Sequence, residues 1–148
     1  MIKTQKQIDA VKEAVRITDA IYAEIREAVV AGVTEKHIYN LILKKIEESE
    51  AETFSFEPIV ATGANAAEPH HVANDTVIKE GDLVVIDMGV MYDGMASDMT
   101  RMVAVGEISD HQHEVYSIVR QALEEALYPI QAGARVSDID LAARNLIE

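Results

Sequence analysis

Cysteine is absent from the 148-residue chain. That excludes a disulfide framework and any thiolate metal site. It is compatible with a reducing cytoplasm, the compartment expected here. No apolar run approaches the length that crosses a bilayer. The opening residues, Met1-Ile2-Lys3-Thr4, carry no signal-type apolar segment. Basic residues are also scarce, with 13 Lys and Arg against 26 Asp and Glu and a net charge of −13. Such an acidic surface disfavours nucleic acid and anionic membranes as partners. What is present is ordinary for a globular protein, 49% hydrophobic and 26% charged, and long enough for one domain with a real core.

Apolar periodicity predicts four helices. Thr4 with Gln7 reads as a capping box. Ile8, Val11, Val15, Thr18, Tyr22, Ile25 and Val29 then follow as one stripe of a long amphipathic helix that Gly32 ends. Thr34 caps a second helix with Ile38, Leu41, Ile42 and Ile46 as its buried stripe, and His37 as a surface residue. Ser109 with Gln112 opens a third, with Val115, Ile118, Val119, Ala122, Leu123 and Ala126 on one face. Pro129 and Gly133 break it, and Ser137 caps a fourth carrying Ile139, Ala142, Ala143 and Leu146. Residues 54–62 read as a strand, with Pro58 marking an edge or bulge. Residues 63–75 form a long loop with Pro69, His70 and His71. One of these histidines facing a site is the functional reading, and two exposed loop histidines the bland one.

The chain is organised around residues 81–101, two strands joined at Asp93-Gly94. Asp-Gly supplies the positive φ that a two-residue hairpin turn requires. That loop sets the register: Tyr92 faces Met95, Gly89 faces Asp98 and Asp87 faces Thr100. Side chains alternate between faces, so Asp87 and Asp98 are diagonal neighbours on one face, with Cβ atoms about 7–8 Å apart. Gly89 is expected to leave open space beside them. Buried carboxylates need a partner or a metal, and oxygen donors suit hard divalent ions. A solvated sheet face carrying two harmless acids is the alternative, against which stand Leu83 and Val85 on the same face. Five methionines, Met88, Met91, Met95, Met99 and Met102, read as plastic core filling. Arg101 reads as an ion-pair partner for a carboxylate.

These residues resemble a family. Asp87-Met88-Gly89, Gly94 and Ser97-Asp98-Met99-Thr100-Arg101, with the preceding Gly81-Asp82-Leu83-Val84, are similar to the pita-bread metallopeptidases. So is the upstream run from Ile59-Val60-Ala61-Thr62-Gly63 to Glu68-Pro69-His70. Within that group the likeness is to Xaa-Pro aminopeptidases and prolidases more than to methionine aminopeptidases. The resemblance implies an α+β fold, two divalent metals (manganese or cobalt, with zinc as an option), and hydrolysis of the peptide bond before proline. It makes Asp87 and Asp98 metal ligands. It gives His70 a role in stabilising or orienting the reacting group, with His71 as the competing assignment.

Ala31-Gly32-Val33-Thr34-Glu35 resembles Ala132-Gly133-Ala134-Arg135-Val136-Ser137-Asp138. This predicts a duplicated helix–helix–hairpin unit, a first repeat over 1–108 and the start of a second over 109–148, within one incomplete domain. In the family a second hairpin and its preceding loop contribute a histidine and two glutamates, so this chain is expected to carry only part of the active site. An inactive peptide-binding module is the competing expectation. An open sheet edge and uncovered apolar face would also favour a homodimer.

Overall fold

Thr4 opens the first helix as expected. Its side chain accepts from the Gln7 amide while Gln7 reaches back to the Thr4 amide, and α1 runs Gln5–Ala28. The computed structural model describes residues 2–148, which divide into two compact units, one reaching Glu107 and one of Ile108–Glu148. Among the described residues no helix is long and apolar enough to cross a membrane.

The buried stripe of α1 is rotated from the expected one. Ala10, Ala14, Ile17, Thr18, Ile21 and Ile25 are buried, whereas Ile8 and Val15 are exposed. Two overlapping apolar stripes exist along this helix, and the one containing the small alanines wins. Ala10 and Ala14 project little beyond the backbone, which allows close approach to the strands beneath. The helix ends at Ala28 rather than at Gly32, which instead takes a positive φ of 95° in the following turn. In α2, Glu35–Glu47, Thr34 caps as expected, and Ile38, Ile42 and Ile46 are buried, with Leu41 half-buried.

The strand expected over 54–62 is two strands, β1 (Thr53–Phe54) and β2 (Ile59–Thr62), interrupted around Pro58. The central hairpin is also cut in two, giving β3 (Leu83–Met88), β4 (Val90–Tyr92), β5 (Met95–Ala96) and β6 (Met99–Ala104). Its register is nevertheless the expected one. Tyr92 pairs Met95, and Asp87 pairs Thr100. Asp93 and Gly94 both have positive φ, as a type I′ turn demands. The cut distributes the strands between two three-stranded sheets, β1-β4-β5 and β2-β3-β6. Helix α1 packs against β4 and β5, and α2 against β1 and β2. Val60, Val84, Ile86, Met88 and Val90 join Ile25, Ile38 and Ile42 in the core. Burying these side chains is the main driving force for this unit.

In the second unit, α3 (Asp110–Leu127) opens with the expected Ser109–Gln112 capping box. Helix α4 spans Val136–Ile147 with Arg135 at its N-cap and no side-chain cap, so Ser137 lies inside the helix instead of before it. The two helices pack on each other. Ile139, Ala142, Ala143 and Leu146 are half-buried, but only Ala122 of the expected α3 stripe is buried. Val115, Ile118, Val119 and Leu123 are exposed, because two helices alone cannot enclose a face on both sides.

Candidate functional site

The break in the hairpin has an identifiable cause. A Cβ on Gly89 would overlap the Ser97 carbonyl and the Ser55 hydroxyl. The space expected beside Gly89 is therefore filled by backbone, and glycine is needed there for close approach. The Ser97 carbonyl accepts from Ser55 Oγ at 2.8 Å, so it is turned out of the ladder. The Val90 amide donates to Ser97 Oγ instead, at 2.9 Å. Thr18 Oγ1 donates to the Ala14 carbonyl and lies 2.6 Å from Ser97 Oγ, which ties the break to α1. Asp98 follows this turned-out residue directly and is exposed, while Asp87 is half-buried one pair before the end of β3. Thr100 Oγ1 donates to Asp87 Oδ1 at 2.8 Å, fixing one face of that carboxylate.

Asp87 and Asp98 line one pocket of about 580 Å³, together with Pro69, His70 and His71. Phe56, Pro58, Ile59, Val72 and Ala73 give it an apolar wall, and Lys36, Asn40, Tyr39 and Glu57 add polar groups. The hydrogen bond from the Tyr39 hydroxyl to Glu57 pushes the phenol's pKa up. None of these wall residues was assigned to the site from the sequence, although Pro58 and Ile59 fall in the strand and motif run, because they come from α2, the bend before β2, the start of β2 and the loop after His71 with no shared motif.

The two histidines are in different situations. His70 is exposed at the pocket. His71 is buried, with Nε2 2.8 Å from Glu35 Oε2 and Nδ1 3.4 Å from Glu68 Oε2. Glu35 is itself completely buried. Its carboxylate also accepts from the Thr62 and Asn74 amides and from Asn65 Nδ2. Burial alone would raise its pKa, but these hydrogen bonds outweigh it and hold the carboxyl below its ordinary value. Burial likewise would lower His71, and Glu35 and Glu68 outweigh it, so the imidazole is held above its ordinary value. In the sequence, Glu35 is an ordinary acid in the first turn of a helix, where the dipole welcomes negative charge. Nothing local signals that it is buried. Arg101, expected beside a carboxylate, instead donates to the Thr100 carbonyl.

The pair Asp87 and Asp98 has the right chemistry for a hard divalent cation, two oxygen donors on one pocket wall with one already oriented by Thr100. It supplies only part of a coordination shell. Among the described residues no group of three or more His, Asp or Glu side chains is placed to hold a metal ion.

Residues 9–148 match the family described as metallopeptidase family M24. The Xaa-Pro dipeptidase of Pyrococcus horikoshii is 35% identical over 147 residues, which cover 99% of this chain and 42% of that protein. The crystal structure of X-Pro aminopeptidase from Thermotoga maritima superposes with a TM-score of 0.95 at 39% identity, covering 99% of this chain and 42% of that one. Prolidase from Pyrococcus furiosus gives a TM-score of 0.95 at 34% identity, covering 99% and 43%. The chain thus spans about 42% of the length of the curated relatives it matches. The α+β pita-bread expectation holds.

Proposed function

The chain belongs to metallopeptidase family M24, and on that premise we propose that it supplies part of the active site of a metal-dependent hydrolase that cleaves the peptide bond before proline. The observation that carries this reading is one pocket lined by Asp87, Asp98 and His70 together. The likeness to Xaa-Pro dipeptidases and an X-Pro aminopeptidase supports the substrate class. Asp87 and Asp98 would hold divalent metal, manganese or cobalt being the proposed ions and two the proposed number. When bound, such ions activate water and polarise a carbonyl. His70 lines the same pocket, where an imidazole can donate to an oxygen of the reacting group. The apolar wall of Phe56, Ile59 and Val72 would receive a substrate side chain. Cytoplasm is the proposed compartment.

Calorimetry with manganese on the chain and on the Asp87→Asn, Asp98→Asn double variant tests the metal assignment. Weak binding in the parent and none in the double variant is expected. Equal binding in both places the metal elsewhere. Alanyl-proline added with diamagnetic zinc is expected to shift the resonances of Phe56, Ile59 and Val72, and a pocket that does not respond argues against the substrate class.

A further inference from the structure

We propose that Glu35 is a positioning residue of this site, its buried carboxylate clamping the loop that carries His70 to the strand beside Asp87. The inference rests on the role given to His70 above and adds a residue to it.

Residues 63–76 need an anchor. Apart from the 3-10 turn Gly63–Ala67, they have no regular structure. His70, in the middle, makes no hydrogen bond among the described residues, so its position comes from its neighbours' backbone. Pro69 restricts that backbone on one side. On the other, His71 is pinned by Glu35.

Glu35 reaches three points along this segment and the strand residue just before it. Oε1 accepts from the Thr62 amide at 2.8 Å and from Asn65 Nδ2 at 2.9 Å. Oε2 pairs with His71 Nε2 at 2.8 Å and accepts from the Asn74 amide at 3.2 Å. These are the loop's entry, its 3-10 turn, the residue beside His70, and its exit. Backbone bonds from the same helical turn reinforce the exit, Glu35 N to the Thr76 carbonyl and Lys36 N to the Asn74 carbonyl. Thr62 belongs to β2, whose Ile59 pairs with Asp87. One carboxylate therefore ties the strand beside Asp87 to the loop bearing His70. A buried ionised group is costly unless its acceptor sites are filled. Here four donors fill them, and three of the four come from the segment that needs holding.

The test uses the full chain, labelled for NMR and without metal, comparing parent, Glu35→Gln and His71→Gln. Glutamine at 35 keeps the shape but loses the charge and one acceptor. Glutamine at 71 keeps a donor toward Glu35. Amide exchange over 64–75 is expected to speed up by about tenfold or more in Glu35→Gln, while amides of β3 and β6 stay protected. The His70 backbone amide resonance is expected to shift, since the clamp acts on the backbone beside it. His71→Gln is expected to retain most of the loop protection. Unchanged exchange and unchanged His70 signals in Glu35→Gln overturn the proposal. So does a uniform loss of protection across both sheets, which marks a general stabiliser. Should Glu35→Gln not fold, His71→Ala removes one bond of the four, and an unaltered His70 environment in that variant overturns it equally. A separate manganese titration of parent and variants reports on Asp87 and Asp98 alone, so failure of the metal reading is told apart from failure of the clamp.

Discussion

The hydroxyl of Ser97 accepts the Val90 amide at 2.9 Å, standing in for its own carbonyl, which Ser55 draws away at 2.8 Å. A side chain thus completes a backbone ladder at the point where the hairpin passes from one sheet to the other. Ser97→Ala leaves the buried Val90 N–H without this acceptor and removes the partner of Thr18. Loss of about 1–3 kcal/mol is expected, read from urea denaturation. A change too small to resolve would mean that the strand recovers an ordinary ladder unaided.

Gly89→Ala tests the other side of the same break. The added methyl meets Ser55 Oγ, which can rotate aside at the cost of its hydrogen bond, and the Ser97 carbonyl, which is backbone and cannot retreat without moving the chain. The expected cost is about 1–3 kcal/mol from overpacking, together with weaker manganese binding because Asp98 follows Ser97. Parent-like stability and metal binding would show that the gap is more pliable than its contacts imply.

Thr100→Val removes the hydroxyl that donates to Asp87 Oδ1 while keeping the β-branched shape. Groups that orient a metal ligand commonly contribute about 10–100-fold in affinity. A fall of that order by calorimetry, with little change in thermal stability, is expected. Undiminished affinity would assign Thr100 to the sheet alone.

The Glu35–His71 pair sets a pH window for the loop. The Glu35 carboxyl is held below 4.5, so its stabilisation is complete above 4.5 and lost as pH falls through the depressed value. The His71 imidazole is held above 6.5, so its contribution is complete below 6.5 and lost as pH rises through the raised value. Protection of residues 64–75, after correction for intrinsic exchange, is expected to peak between these limits. The decline on the alkaline side should be partial, since a neutral imidazole still donates one N–H. A flat profile from pH 4 to 9 contradicts the pairing.

Exposed Val115, Ile118, Val119 and Leu123 on α3 motivate an expectation of self-association. Sedimentation over a concentration series should show a dimer that Leu123→Glu weakens. A monomer at every concentration removes the homodimer from consideration.

The register of the hairpin was legible from Asp93-Gly94 because a two-residue turn and a period of two are local rules. Those rules alone put Asp87 opposite Thr100 and on the face of Asp98. The caps at Thr4, Thr34 and Ser109 were legible for the same reason, since donor and acceptor lie within one turn. Membership of a peptidase family was legible in the short motifs around Asp87, Asp98 and His70. Other features required the tertiary structure. Only packing could choose between the two stripes of α1, because both satisfy helical spacing and the winner is the one whose alanines let strands approach. Only convergence from distant segments could bury Glu35, 36 positions before His71, or fill the space at Gly89 with Ser55 and Ser97. Periodicity records which face a residue occupies, whereas burial depends on what the rest of the chain brings to that face.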